Sequence, residues 1–522
     1  MTTTRLRTDL LVSYLGQGWT ALMSVAFIPF YIHYLGIESY GLIGLFVLLQ
    51  SWMTMLDFGL VPILSREMAR AGAKATSAAT ARTLLRGAEL AVGCSSLLAA
   101  ATICAGSDWL AKHWLRVSAL PLDVVAFAIS AMGFTAAVRS IEGLYRGAAL
   151  GQGRQAFVNL LGSGMATLRG VGAVAVLAWV DPTVGAFFLW QLGISVVTCA
   201  VLAIEVYGEL PVAEPVRKSL RSLAAFRGFA GGMLGITVLS LLLTQVDKLL
   251  LSRLLPLGEY GYYALASTIA TALYLLVQPV TQTYYPRFCH WLATENSYMT
   301  VATYHQGAQL VVALTAPAAL TLFAFPTQVI DLWTRNETLA SHAGPLLRPL
   351  CLGTFCNALM WIPYQMQLAH GHTKTALSVN LVAVGLVVPS VLWITPRYGS
   401  MGAAWIWFAL NASYVLVATH FMYPSFFRAQ RNKWYRDDVV LPVLCAGAAV
   451  AAIYAVVPPG ASRPVMAIAL LASVILASLA AAMGAPDLRV ALLNFRRQRA
   501  MQVRVETVVA VDPAGNAGAV DP

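Results

Sequence analysis

The sequence predicts an all-α polytopic membrane protein: two parallel six-helix lobes followed by two C-terminal helices, 14 transmembrane helices in all. Three observations carry that reading. Hydrophobic residues make up 58% of the 522 residues and charged residues 11%, and the mean hydropathy is +0.70. A soluble domain carries about 25% charged residues, so this chain requires lipid as its solvent. Apolar runs of roughly 20 residues recur along the whole length, each long enough to cross a ~30 Å hydrocarbon core as a helix. Finally, one turn sequence is written twice in the chain.

The apolar runs, numbered α1 to α14 in chain order, fall at 9–33, 39–64, 85–106, 122–146, 155–180, 184–206, 228–253, 260–284, 303–326, 346–370, 374–395, 400–423, 438–457 and 464–484. The first is not a cleavable leader by its pattern, because it is long and lacks an A-x-A-like end, so it is expected to stay as a span. The last two are rich in Ala and therefore less apolar than the Leu-rich runs before them.

Basic residues set the orientation. With the N-terminus inside, 24 of the 34 Lys and Arg fall on the cytoplasmic side, seven fall outside, and Arg139, Arg169 and Lys248 lie within spans. The cytoplasmic set occupies the N-terminal tail, the connections 65–86, 146–154, 207–227, 285–302, 370–374 and 424–437, and the C-terminal tail. This asymmetry places both termini in the cytoplasm. The net charge of +11 is thus topology plus attraction to anionic membrane lipids, and no nucleic acid partner is expected. The seven Cys are scattered and suggest neither a disulfide framework nor a metal site, and no cofactor is expected. The eight His, among them His305, fall mainly near span ends; His370 and His372 flank a cytoplasmic turn and read as solvated interface residues, with contact to phosphate as the alternative.

The doubled turn pairs YIHYLGIESYGLIGL (31–45) with LSRLLPLGEYGYYAL (251–265): Leu35, Tyr40, Gly41 and Leu45 match Leu255, Tyr260, Gly261 and Leu265. At an offset of 220–221 along the chain, Asp57 stands against Gln278 and Arg66 against Arg287, and GQGRQAFVN after α4 resembles GHTKTALSVN after α10 with one extra residue. Six helices separate the copies, an even number, so both halves enter the membrane in the same sense, a recurrent plan for transporters with the path between the lobes. The expected organisation is an N-lobe (1–206), a cytoplasmic linker (207–227), a C-lobe (228–425), α13 and α14 as an appendage (426–484), and a partly disordered cytoplasmic tail (485–522).

YLG-x-x-x-YG-L, followed by LDFGL-x-P-x-L-x-RE-x-AR across α1 and α2, and LYRGAALGQGRQAFVN after α4, resemble the polysaccharide repeat-unit flippases. These act in O-antigen and exopolysaccharide synthesis. Their superfamily, the multidrug/oligosaccharidyl-lipid/polysaccharide exporters, also holds the MATE transporters and lipid II flippases. The resemblance covers roughly residues 9–425. It implies a V-shaped two-lobed transporter of the bacterial inner membrane that moves a polyprenyl-pyrophosphate-linked oligosaccharide to the periplasmic leaflet. A polysaccharide polymerase or assembly machinery would be a natural partner. Many relatives are read as twelve-helix proteins, and α13 and α14 depart from that plan.

Burying a charge in hydrocarbon costs at least a few kcal/mol, which makes intramembrane ions candidates for a water-filled path. Arg139, Glu142 and Arg146 on α4 fall at i, i+3 and i+7 on one helical face. Their counterparts in the second copy, near Leu359, Ile362 and Met366, are apolar, so the repeated scaffold does not by itself require the charges. Arg offers a planar fork of donors that stays charged, which suits a pyrophosphate. The competing reading is an internal Arg–Glu pair with Arg146 snorkelling to the interface. Arg169, deep in α5, is the second substrate-binding candidate, with pairing to Glu142 as its alternative. Arg82, Arg86 and Glu89 at the start of α3 sit at the interface, where topology explains them. Asp57 and Arg66 bracket the inner end of α2 and serve either as a gate or as helix termination. Asp247 and Lys248, adjacent on α7 and about 100° apart, cannot form one face-to-face pair; Asp247 is a candidate for binding a coupling cation, as carboxylates in this lobe do in some relatives.

Two other functions compete. A MATE-type exporter of organic cations would favour acidic and aromatic lumen residues, yet the deep charges here are mostly Arg. A membrane enzyme would need a catalytic domain or a nucleotide motif. The longest outer connection, about 327–345, has no room for the first, and no P-loop appears for the second.

Overall fold

The computed structural model describes residues 16–57, 59–71, 75–208, 210, 227–370, 373–419, 427–458 and 460–490. Most of the predicted linker and the tail beyond 490 lie outside them. Every regular element described is helical, and eleven of the described helices are long and apolar enough to cross a membrane. Two of these, Gly16–Asp57 and Ser378–Val417, each cover two predicted spans, and predicted α7 corresponds to Arg227–Leu254, which is not among the eleven. The turn between α1 and α2 is made at Gly36, whose φ of 80° is open to glycine at little steric cost. A non-helical Gly399 divides α11 from α12 within Thr373–Ser413 in the same manner.

Several boundaries differ from the sequence expectation, each for a local reason. Predicted α2 does not run to residue 64: it ends in a 3-10 turn, Thr54–Asp57, and a separate helix, Leu60–Ala71, follows. The Asp57 carboxylate accepts from the Gly59 N–H at 2.7 Å and closes the turn between them. Predicted α8 continues to Ala293 as Leu257–Thr271 and Tyr274–Ala293, and α9 begins at Ser297, capped by the Asn296 side chain on Met299 N at 3.0 Å. The expected connection 285–302 is therefore mostly helix. The expected outer loop 327–345 is also largely helical, as Pro326–Thr334 and the start of Glu337–Leu359, with Asn336 capping Leu339 N at 3.0 Å. Predicted α13 starts early, at Phe427–Lys433, and passes through a π-helical stretch, Trp434–Val440, before Leu441–Val456. Polar residues there masked a helix that continues beyond the apolar window.

The described chain forms two compact units, one drawn from Met1–Ile269, Ile330–Leu350 and Leu377–Leu410, the other from Ala270–Val329, Cys351–Ala376 and Asn411–Pro522. In the first, α4 (Leu122–Gly151) packs between α3 (Ala75–Ala105) and α6 (Val184–Gly208), and α5 (Gln155–Trp179) lies against α6. One apolar core, including Leu64, Met68, Leu85, Val92, Leu144 and Leu202, seals the end of this bundle nearest the basic connections. In the second unit, α9 (Ser297–Ala324) packs against α13 and α14 (Arg463–Gly484), with Thr321 and Ser473 hydroxyls 2.9 Å apart between α9 and α14.

The doubled turn has a structural purpose. A Cβ on Gly41 would run into the Leu257 carbonyl, and one on Gly261 would run into the Ile37 carbonyl, so the two copies touch reciprocally. Gly44 meets Ala264, its own counterpart in the repeat. Residue i of one copy meeting residue j of the other, and the reverse, is what a two-fold relation requires. Backbones can approach this closely only where the side chain is absent or minimal. Replacing Gly41 with Val is expected to cost about 1–3 kcal/mol through overpacking against backbone, read as a lowered melting midpoint of the purified protein. An unchanged midpoint would show that the two turns separate freely.

Candidate functional site

Four charged side chains predicted from the sequence come together within the first unit. Arg139 lies about halfway along α4, ~25 Å from its Leu122 end at ~1.5 Å per residue. Its guanidinium is held by three neutral acceptors: Nε donates to Ser195 Oγ at 3.2 Å, Nη1 to Gln50 Oε1 at 2.9 Å and Nη2 to Gln191 Oε1 at 3.0 Å. The Phe46 ring lies under it, 5.0 Å from Cζ. Among the described residues, no carboxylate forms an ion pair with Arg139. Each of its three nitrogens has an acceptor while its charge is not neutralised by direct contact.

One turn further along α4, Glu142 is buried and takes the charge of α5. Arg169 Nη2 donates to Glu142 Oε2 at 2.8 Å and reaches Thr198 Oγ1 at 3.4 Å, while Arg169 Nε is buried without a partner. Arg146 approaches the other oxygen, Oε1, at 4.0 Å, with its side chain 46% exposed, so that contact is weakened by solvent. The internal Arg–Glu pair is therefore present, and Arg146 is the outer member. The group carries three guanidinium groups and one carboxylate, an excess of positive charge inside the bundle.

The supporting groups were not singled out from the sequence. Gln191, Ser195 and Thr198 lie at i, i+4 and i+7 on α6, a polar stripe in an otherwise apolar span, and that spacing was the available signal. Gln50 is a polar residue in α2 whose part becomes visible only when α4 is placed beside it.

The other candidates stand apart from this group. Asp57 is occupied by Gly59 N, and Arg66 lies 3.2 Å from Glu67, so among the described ion pairs Asp57 and Arg66 do not meet. Asp247 is buried; it accepts from Tyr263 OH at 3.1 Å on Oδ2 and leaves Oδ1 without a partner. Lys248 is not paired with it, and donates instead to the Thr244 carbonyl at 3.1 Å. Near the start of α3, Glu89 accepts from Tyr207 OH at 2.6 Å and Arg82 donates to the Leu210 carbonyl at 2.6 Å, contacts that tie α3 to the end of α6. Among the described residues, no group of three or more His, Cys, Asp or Glu side chains converges as a metal site would need. His305, near the start of α9, is fully buried against Asp438.

Eleven described helices apolar enough to cross a membrane, with a cluster of arginines inside the bundle, define a polytopic helical membrane protein. A sequence profile described as polysaccharide biosynthesis protein matches residues 6–291, more than half of the chain, and the chain belongs to that family. Its fold is similar to the lipid II flippase MurJ in an inward closed conformation, with a TM-score of 0.68 at 12% identity over 91% of this chain and 98% of that one. An inward-facing multidrug resistance MATE family transporter of the MOP superfamily is similar at TM-score 0.61 and 14% identity, over 81% of this chain and 98% of that one. The MATE multidrug transporter DinF-BH is similar at TM-score 0.55 and 13% identity, over 82% of this chain and 97% of that one. No curated protein matches by sequence.

Proposed function

We propose that this chain is a flippase. It translocates polyprenyl-pyrophosphate-linked oligosaccharide repeat units across the bacterial inner membrane, for a polysaccharide such as an O-antigen or exopolysaccharide. Both termini lie in the cytoplasm, and the lobes 1–206 and 228–425 alternate access to the two sides. The chain acts as a transporter and not as an enzyme. The observation that carries this reading is Arg139: a guanidinium deep in a membrane helix, held in place by Gln50, Gln191 and Ser195 with no carboxylate in contact.

An anion crossing hydrocarbon must exchange its water for fixed donors, and a preorganised guanidinium supplies them at little reorganisation cost. A phosphate oxygen would displace neutral amide and hydroxyl acceptors, a gain in charge complementarity. Displacing Glu142 from Arg169 would bring no such gain, so Arg139 is the primary anion contact and Arg169 and Arg146, with Glu142, set the surrounding field. The glycan would pass through the same polar path while the polyprenyl tail remains in lipid. Asp57, Arg66, Asp247 and Lys248 stay candidates for gating or coupling. Membership of a polysaccharide biosynthesis family supports a glycan cargo.

The test uses purified protein in sealed vesicles loaded with a polyprenyl-pyrophosphate oligosaccharide on one leaflet. Appearance of the glycan to an enzyme on the opposite side is the expected result. Efflux of a cationic dye with no glycan movement would replace this reading with an organic-cation exporter, the other function borne by proteins of similar fold.

A further inference from the structure

A second buried charge cluster lies where α9 meets the appended α13 and the segment after α14. His305 of α9 and Asp438 of α13 are both 0% exposed, with Nδ1 and Oδ2 2.5 Å apart. His305 Nε2 lies 3.1 Å from Gln430 Oε1. The other Asp438 oxygen accepts from Gln309 Nε2 at 2.8 Å, and the same amide nitrogen reaches Asp487 Oδ2 at 3.2 Å. The orientation of Gln309 is fixed, because its Oε1 accepts the backbone N–H groups of Asp487 at 2.9 Å and Leu488 at 3.2 Å. Two carboxylates therefore share one neutral amide.

Their charges need counter-ions. Lys433 Nζ, 3.9 Å from Asp487 with both side chains partly exposed, serves Asp487. Arg436 and Asp437 pair with each other at 2.7 Å, with Arg436 largely in solvent. The packed face of α8 directs Arg287 and His290 into a separate recess with Thr303 and Gln306. Trp361–Ala369 of α10 carries no charged residue. Arg431 and Arg489 share these segments, and neither forms a described ion pair with Asp438. Among the described residues His305 is the one basic side chain in contact with Asp438, and a carboxylate without a counter-charge at zero exposure carries a large desolvation cost even with the Gln309 hydrogen bond. A ring protonated on both nitrogens removes that cost and gives each nitrogen an oxygen to donate to.

We propose that His305 and Asp438 bind one proton between them, and that this proton latches α13 and α14 to α9. The site is reachable: Gln430, Lys433 and Asp487 all retain exposure and lead from the buried pair to the surface. The π-helical stretch Trp434–Val440 buries Asp438 while leaving its neighbour Asp437 more exposed, and π-turns inside helices recur at functional sites. A purely structural joint would be served by a neutral amide pair, whereas a buried His–Asp pair in membrane helices is an ionisable element of the kind that marks a functional site. Loss of the proton would leave the Asp438 carboxylate with only neutral donors, Gln309 and the ring N–H, and weaken the joint. The inference does not depend on the identity of the cargo.

The test is nuclear magnetic resonance of the full-length protein in nanodiscs with nitrogen-15-labelled histidine. At about pH 7.5, where an unperturbed imidazole is mostly neutral, one histidine should show both ring nitrogens protonated. That signal should disappear in His305→Gln and become neutral in Asp438→Asn. Amide exchange supplies the second readout: protection of Asp487 and Leu488 should fall at least roughly tenfold in Asp438→Asn, because the joint that holds Gln309 opens locally. The proposal is overturned if every histidine of the wild-type protein is neutral at that pH, an outcome that needs no variant to fold. It is equally overturned if the doubly protonated signal persists in Asp438→Asn. Should His305→Gln fail to fold, Gln430→Leu assigns the signal by shifting it.

Discussion

Replacing Arg139 with Gln is expected to abolish glycan translocation while leaving the protein folded. A charge-assisted hydrogen bond is worth about 1.5–3 kcal/mol, so losing two of them to a phosphate is a loss of ~3–6 kcal/mol, or roughly 10²–10⁴ in rate if they act in the crossing step. The substituted amide can still donate to Gln191 or Gln50, which keeps those buried acceptors from being left bare. The melting midpoint should therefore move little. Arg139→Lys keeps the charge but not the fork that reaches Ser195, Gln50 and Gln191 together. It should fall between the wild type and Arg139→Gln. Translocation in sealed vesicles, normalised to the amount of folded protein, decides the matter. Wild-type rates in Arg139→Gln would remove this residue from the path.

Replacing Glu142 with Ala should have the opposite signature, a loss of stability first. Glu142 is the buried carboxylate that holds Arg169 at 2.8 Å, and Arg169 already has one buried nitrogen without a partner. Removing one member of a buried pair costs about 3–5 kcal/mol because the other charge is left uncompensated. The remaining solvent access of Arg169 places the expected value near the lower end. Glu142→Gln combined with Arg169→Gln should recover most of the loss, since the pair is then replaced by two neutral groups. Thermal denaturation of the two single variants and the double variant measures the coupling directly. If the single variants melt with the wild type, Arg169 reaches water and the pair is not buried in solution.

Much of this was legible in the linear chain. Arg139, Glu142 and Arg146 could be placed on one face because α-helical spacing is fixed by backbone geometry. The same spacing carried the polar stripe Gln191, Ser195 and Thr198, which becomes informative only when α6 is known to lie beside α4. His305 carries no sign of its partner in the linear chain: its apolar surroundings and its position near a span end do not point to Asp438, 133 residues away. Asp57 shows the reverse case: its contact with Gly59 is local, and helix termination was one of the two readings that local sequence offered.

The sequence by itself determined that this chain lives in lipid, is built of helices and repeats one turn at a fixed offset. Those properties follow from composition, from the backbone's need to satisfy its own hydrogen bonds in hydrocarbon and from internal similarity. Only the tertiary structure decided which charges are neutralised and which are not. Arg169 meets Glu142, Arg139 meets amides, a hydroxyl and an aromatic ring, and Asp438 meets a histidine. Such partners belong to different helices, and a one-dimensional pattern fixes the face a residue occupies without fixing what stands across from it.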